Sequence, residues 1–222
     1  MTLLAPGAYA HRLGGPMAPN LARLRALGLD ARLADFDTGA RMSVVARALD
    51  SEIRAIGARG KSSILVGHSS GAVAITVALA LAPELAKHVR CVVLLQTTYL
   101  GSPLADLIAG APRARAIVDV TTPVRRAFVE AHPYPASEVP TVALVTRRLS
   151  PRSPLFPLQA LQKLRWGLDS DGLVPTGHQR VPGAHLVERE LDHAQAAIGE
   201  GAGAITEALL VYALQCARTT TA

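Results

Sequence analysis

The sequence predicts an α/β fold in which a mostly parallel sheet of about six strands is wrapped by helices. Three observations predict it. Short apolar runs alternate with helical patterns along the 222 residues, and that alternation is the mark of strand–crossover–strand units. Half of the residues are apolar but only 4% are aromatic, a mixture that suits packed helices and buried parallel strands rather than an aromatic-rich barrel. The length matches one domain, and at this size roughly 70% of the unfolded surface is buried, so the core needs no staples. A single domain over 1–222 is expected.

Leu3-Leu4-Ala5 forms a short first strand, broken by Pro6-Gly7. Ala18, Leu21, Leu24 and Leu27 recur at helical spacing, giving a helix over 18–28 that ends at Gly28. A second strand covers 30–35. Val44, Val45, Ala48, Leu49, Ile53 and Ile56 share one helical face over 41–58, which Gly60 closes. Ser63-Ile64-Leu65-Val66 is a buried-type strand running straight into Gly67, and a helix follows over 69–81. The apolar stretch 71–83 is too short to span a membrane and reads as a buried core helix. Further strands are expected at 89–95, 141–146 and 184–190, and helices at 158–165 and 203–217. Between 97 and 136, Gly101, Pro103, Gly110, Pro112, Pro123, Pro133 and Pro135 cut the pattern into helical scraps at 104–109 and 123–131. Long loop-rich insertions in compact domains are commonly binding segments, so a cap or lid is expected over 97–136.

Composition narrows the function. Cys91 and Cys216 are too few for a disulfide scaffold or a cysteine zinc site. Cys91, inside an apolar run, reads as a small buried hydrophobe. The first ten residues lack a basic n-region and an apolar h-region, so no signal peptide is read and a cytoplasmic location is expected. Lys+Arg number 23 against 17 Asp+Glu, a net charge of +6 that raises nucleic acid as a partner. The arginines are scattered, mostly beside acids, with no aromatic-interleaved basic strand. No nucleic-acid partner is expected. The local excess at Arg113, Arg115, Arg125 and Arg126 reads as solvated surface, with attraction to an anionic interface as the lesser reading.

The informative segment is Gly67-His68-Ser69-Ser70-Gly71, a G-x-S-x-G with a buried strand before it and a helix after it. Glycines are needed because the strand-to-helix turn is too tight for flanking side chains. The turn then holds the Ser69 hydroxyl at a helix N-terminus, where N–H groups favour developing negative charge. Its bland reading is a Gly/Ser turn that binds phosphate or nothing. A serine nucleophile needs a base and a group to orient the base. With the order Ser, acid, His, the base should follow the last strand. His193 does so, with His178 the alternative, while His185 lies at the wrong end of that strand. The acid should follow the preceding strand. Asp171 is favoured because Gly172 lets the loop turn the carboxylate back; Asp169 and Asp106 are alternatives, and Asp192 should point elsewhere. The oxyanion hole would use the N–H groups of Ser70 and of Ala8, after Pro6-Gly7, with Tyr9 and His68 beside the substrate. From the insertion, Ile117 and Phe128 are the candidate acyl contacts.

Taken together these segments resemble the α/β-hydrolases of the small bacterial lipase and esterase type over nearly the whole chain. Gly67 to Gly71 resembles the nucleophile elbow. Ser170-Asp171-Gly172-Leu173-Val174 is similar to the segment carrying the acid, and Leu191-Asp192-His193-Ala194 to that carrying the base. Tyr99-Leu100-Gly101-Ser102-Pro103-Leu104-Ala105 looks like a G-S-P-x-A segment of lipase-like hydrolases. Pro6-Gly7 stands where the family usually has His-Gly, and the usual N-terminal hairpin is missing. The resemblance implies a serine carboxylic-ester hydrolase with a Ser69–His193–Asp171 triad, no cofactor and no metal. Its partner would be a small-molecule or lipid ester, with transient contact to a lipid surface. A thioesterase, polyester hydrolase or acyltransferase would use the same residues. A non-catalytic binding protein on this scaffold is the reading from a different class.

Overall fold

The computed structural model describes residues 1–8, 17–111 and 115–219. Among them six strands form one sheet: β1 (Thr2–Ala5), β2 (Ala31–Leu33), β3 (Ser63–His68), β4 (Val89–Leu95), β5 (Thr141–Thr146) and β6 (His185–Arg189). The order is β2-β1-β3-β4-β5-β6, and every neighbouring pair is parallel. Strands buried on both faces must be apolar at every position, and alternate residues feed opposite cores. Leu3, Leu65, Val92, Leu94 and Ala143 enter one cluster with α2 (Met42–Gly57) and α3 (Ser70–Leu81). Leu4, Val66, Val93, Leu95 and Leu144 enter the other with α1 (Ala18–Ala26), α8 (Gln195–Ile198) and α9 (Ala202–Thr219). Cys91 is buried in this second cluster, and burial pushes its thiol up to about 12. Asn20, fully buried on α1, reaches the carbonyls of Ala196 and Ala202 and the hydroxyl of Thr206, which fastens α1 to α8 and α9.

The order reverses between β1 and β3, whose following chains leave toward opposite faces. In open parallel sheets such a switch point, at the carboxyl ends of the strands, is where a crevice forms. The elbow after β3 and the 6–8 loop after β1 therefore meet there. The sheet edges are short or charged. β2 keeps three residues rather than the expected six, because Asp35 gives its N–H to Glu52 instead of a strand. The outer strand β6 is paired through Glu188 to Arg180.

Residues 97–136 hold α4 (Pro103–Ile108), α5 (Arg115–Val118) and α6 (Thr122–Ala131). Ser102 caps α4 by accepting from the Leu104 N–H, with Pro103 at its first position. An expectation fails in this segment at Arg125. Arg125 is not solvated surface: it is 2% exposed, donates from Nε to the Tyr99 carbonyl and lies 4.9 Å over the Phe128 ring. Burial pulls its guanidinium down to about 10. Composition cannot distinguish an arginine facing water from one that α6 turns under a loop. The one-turn helices α5 and α8 and the 3-10 turns Pro83–His88 and Thr176–Gln179 were also not foreseen, since single turns carry no periodicity. After β5, α7 (Phe156–Trp166) leads to the acid loop. No helix among the described residues is long and apolar enough to cross a membrane.

Candidate active site

The turn between β3 and α3 is as tight as the glycines foretell. A Cβ on Gly67 would sit 2.6 Å from the Ala72 Cα, and one on Gly71 would sit 2.1 Å from the Ala5 carbonyl oxygen. Ser69 between them has φ 53 and ψ −122, a conformation an L-residue adopts only when its surroundings enforce it. The Ser69 N–H donates to the Leu95 carbonyl at 2.9 Å, tying the elbow to the end of β4. The 6–8 loop lies against it, for a Cβ on Gly7 would come 3.2 Å from the Ser69 Cβ.

His193 follows β6, and its Nε2 lies 2.8 Å from the Ser69 Oγ. Its Nδ1 lies 2.9 Å from Asp171 Oδ2. A carboxylate oxygen can only accept, so Nδ1 carries the proton and the bare Nε2 accepts from the serine hydroxyl. Asp171 is wholly buried. Its Oδ1 accepts from the Leu173 and Val174 N–H groups. Its Oδ2 also accepts from Thr146 Oγ1 at 3.0 Å and Gln179 Nε2 at 3.2 Å. The Asp171 carbonyl takes the His193 N–H as well, so backbone and side chain both join the two loops. In chemical terms this is a hydroxyl, a bare imidazole nitrogen and an orienting carboxylate in series, an arrangement able to pass a proton off the hydroxyl.

The competing residues are engaged elsewhere. Asp169 is exposed and pairs with Lys163. Asp106 accepts from the Thr122 N–H at the start of α6. Asp192 turns away from the His193 ring to Ser153 and Gln159. His178 Nδ1 donates to the Gly101 carbonyl, and His185 packs edge-on against Tyr212.

The serine hydroxyl opens into a cavity of about 300 Å³ whose lining is largely apolar. The insertion supplies one wall with Leu104, Ala105, Ile108, Ile117 and Val120. The acid loop and α8 supply the opposite wall with Leu173, Val174, Ala197 and Ile198. Ala8, Ser70 and His68 also reach it; Tyr9 lies outside the described residues. Phe128 does not line it. It packs on the core beneath, between Arg125 and the His132 ring, because α6 presents that face inward. A wider cleft of about 520 Å³ beside Arg147, Lys163 and Glu190 is polar and touches neither Ser69 nor His193.

His68 is buried, with Nε2 2.9 Å from the His193 carbonyl oxygen and its ring 5.1 Å from the His193 ring. Burial foremost, then the neighbouring His193, lowers it to about 4, so it sits there neutral and donates from Nε2. Gln96, Thr146 and Gln179 were missed by sequence reasoning. The one signal available was the position of Gln96 and Thr146 immediately at the carboxyl ends of two central strands. Among the described residues no three His, Cys, Asp or Glu gather to hold a metal.

No protein-family model matches the sequence, and no curated protein matches it either. Solved structures do. The lipase BlEst2 of Bacillus licheniformis, in mature form, is 21% identical over 96% of this chain and 91% of that one, with a TM-score of 0.78. The metagenomic carboxyl esterase MGS0156 is 20% identical over 99% and 74%, with a TM-score of 0.77. Phospholipase PlaB of Legionella pneumophila is 17% identical over 99% and 60%, with a TM-score of 0.70. At such identities the likeness establishes a shared fold.

Proposed function

We propose that the chain, which has the α/β-hydrolase fold, is a serine carboxylic-ester hydrolase. One observation carries the reading: Asp171, His193 and Ser69 form an unbroken hydrogen-bonded series whose hydroxyl end opens into an apolar cavity. The solved structures similar to the chain include a lipase, a carboxyl esterase and a phospholipase, which fits it.

In this reading Ser69 Oγ attacks the acyl carbon while His193 Nε2 takes its proton. Asp171 holds the imidazole in the tautomer with Nδ1 protonated and stabilises the imidazolium that forms. The developing oxyanion is met by the N–H groups of Ser70, at the first turn of α3, and of Ala8 in the 6–8 loop. His193 then returns the proton to the leaving alcohol, and water activated by the same nitrogen hydrolyses the acyl-enzyme. Residues 97–136 act as a cap over the acyl chain, with Ile117 one of its contacts and His68 a wall near the reacting carbon. Among the described residues the wall carries no carboxylate, lysine or arginine, which favours an uncharged acyl group.

The test is covalent. A fluorophosphonate should label the protein at Ser69, and nitrophenyl esters should turn over with loss of activity in step with labelling. A protein that neither labels nor hydrolyses any acyl length is not such an enzyme.

A further inference from the structure

Behind the buried carboxylate the hydrogen bonding continues for two more residues. Gln96 Nε2 donates to Thr146 Oγ1 at 2.9 Å, and Thr146 Oγ1 donates to Asp171 Oδ2 at 3.0 Å. Thr146 has one hydroxyl proton and two acceptors in reach, Asp171 Oδ2 and Gln179 Oε1 at 3.3 Å. The shorter bond, to a carboxylate, is the stronger, so the proton goes to Asp171. The other proton of Gln96 Nε2 goes to the Asp192 carbonyl at 2.8 Å, the peptide that leads into His193. Gln96 thus grips the acid through Thr146 and the base loop through Asp192.

The backbone at Gln96 supports a purpose beyond packing. It is wholly buried, with φ 51, a left-handed angle that costs a non-glycine residue free energy. Its Oε1 is buried without a well-formed hydrogen bond. We propose that Gln96 and Thr146 are positioning residues of the Ser69–His193–Asp171 series, holding Asp171 and the His193 loop at hydrogen-bonding distance from one another. The inference rests on the hydrolase reading above and deepens it.

The experiment compares Thr146→Val, Thr146→Ser and Gln96→Gly, the last removing the side chain at an angle glycine adopts freely. Active sites are counted with a fluorophosphonate, so poor folding lowers the count and not the turnover per site. Per titrated site, Thr146→Val and Gln96→Gly should lose roughly 10–100-fold in kcat with KM held within about twofold, since misplacement of reacting groups acts on the chemical step. Thr146→Ser, which keeps the hydroxyl, should stay within about threefold of the parent. Among the described residues His193 faces two titratable side chains, Asp171 and His68. Taking a donor away from Asp171 leaves its charge freer to favour the imidazolium, so the acid limb of kcat/KM should move up by roughly 0.3–1 pH unit in Thr146→Val. The hydrogen-bonded Nδ1 proton of His193, read by NMR, should shift in the same variant and needs no turnover.

Unchanged turnover per site with an unmoved acid limb and NMR proton would overturn the proposal. So would a Thr146→Ser protein as impaired as Thr146→Val. A parent protein that is not labelled at Ser69 would overturn instead the hydrolase reading beneath it.

Discussion

Gly71 stands so close to the end of β1 that any side chain on it would meet the Ala5 carbonyl oxygen, at 2.1 Å for the Cβ alone. The elbow is therefore seated directly on the first strand, and that contact sets how far Ser69 stands above the sheet. Gly71→Ala should cost about 1–3 kcal/mol or more, as backbone must move to admit it. Gly177→Ala, where a Cβ meets no described atom within 4 Å, should leave stability unchanged. Thermal melting of the two variants beside the parent checks both.

Ser69→Ala should lower kcat by roughly 10³–10⁶, and adding His193→Ala should cost little more, because members of such a series act as a unit. Turnover of a short nitrophenyl ester measures it. Activity retained within about tenfold of the parent would sink the assignment.

Asp171→Asn should cripple turnover while Asp169→Asn leaves it near the parent. The first carboxylate is buried against His193 and the second pairs with Lys163 in solvent. Equal activities would place the orienting acid elsewhere.

Acyl preference should follow the cavity wall and not the core beneath it. Ile117→Ala should change the ratio of short- to medium-chain ester turnover, by about 0.8 kcal/mol or roughly fourfold per methylene that loses its contact. Phe128→Ala should lower the melting temperature and leave that ratio alone, since its ring packs under Arg125. A panel of nitrophenyl esters separates the two effects.

Stability should fall on acidification partly through His68. Its folded value of about 4 lies below the ordinary 6.5. Between those values the unfolded chain takes up a proton that the folded one refuses, so stability is complete above pH 6.5 and is lost as pH falls toward 4. The span amounts to about 3 kcal/mol at most. His178, also lowered by burial, adds a loss of the same sign. His68→Gln should shrink the difference between melting temperatures at pH 7 and pH 4; an undiminished difference would exclude His68 as a source.

Much of this was legible because the decisive segments are steric necessities. Gly67 and Gly71 are required by close backbone approach, and a strand before with a helix after leaves one place for the hydroxyl of Ser69. Asp171 and His193 followed from their position after strands that the apolar runs reveal. What escaped had only a weak local signature, a place at the carboxyl end of a strand. Thr146 is one more residue of an apolar strand until the fold sets it against Asp171. Gln96 owes its contacts with Thr146 and the Asp192 carbonyl to a left-handed backbone angle that its neighbours do not announce. Arg125 and Phe128 were misjudged for a shared reason: an amphipathic helix in a loop-rich segment can turn either face to the core, and only tertiary packing decides.

The clasp of Asn20 on Ala196, Ala202 and Thr206 has a consequence in time. Domains are made from the N-terminus at roughly 5–20 residues per second. While the ribosome is still adding the last strand, α1 has nothing to grip and Ser69 has no imidazole in reach. The chain made up to residue 192 therefore holds Ser69 without the imidazole that lies beside it in the finished fold. α1 gains its partners only when Ala196, Ala202 and Thr206 have been added.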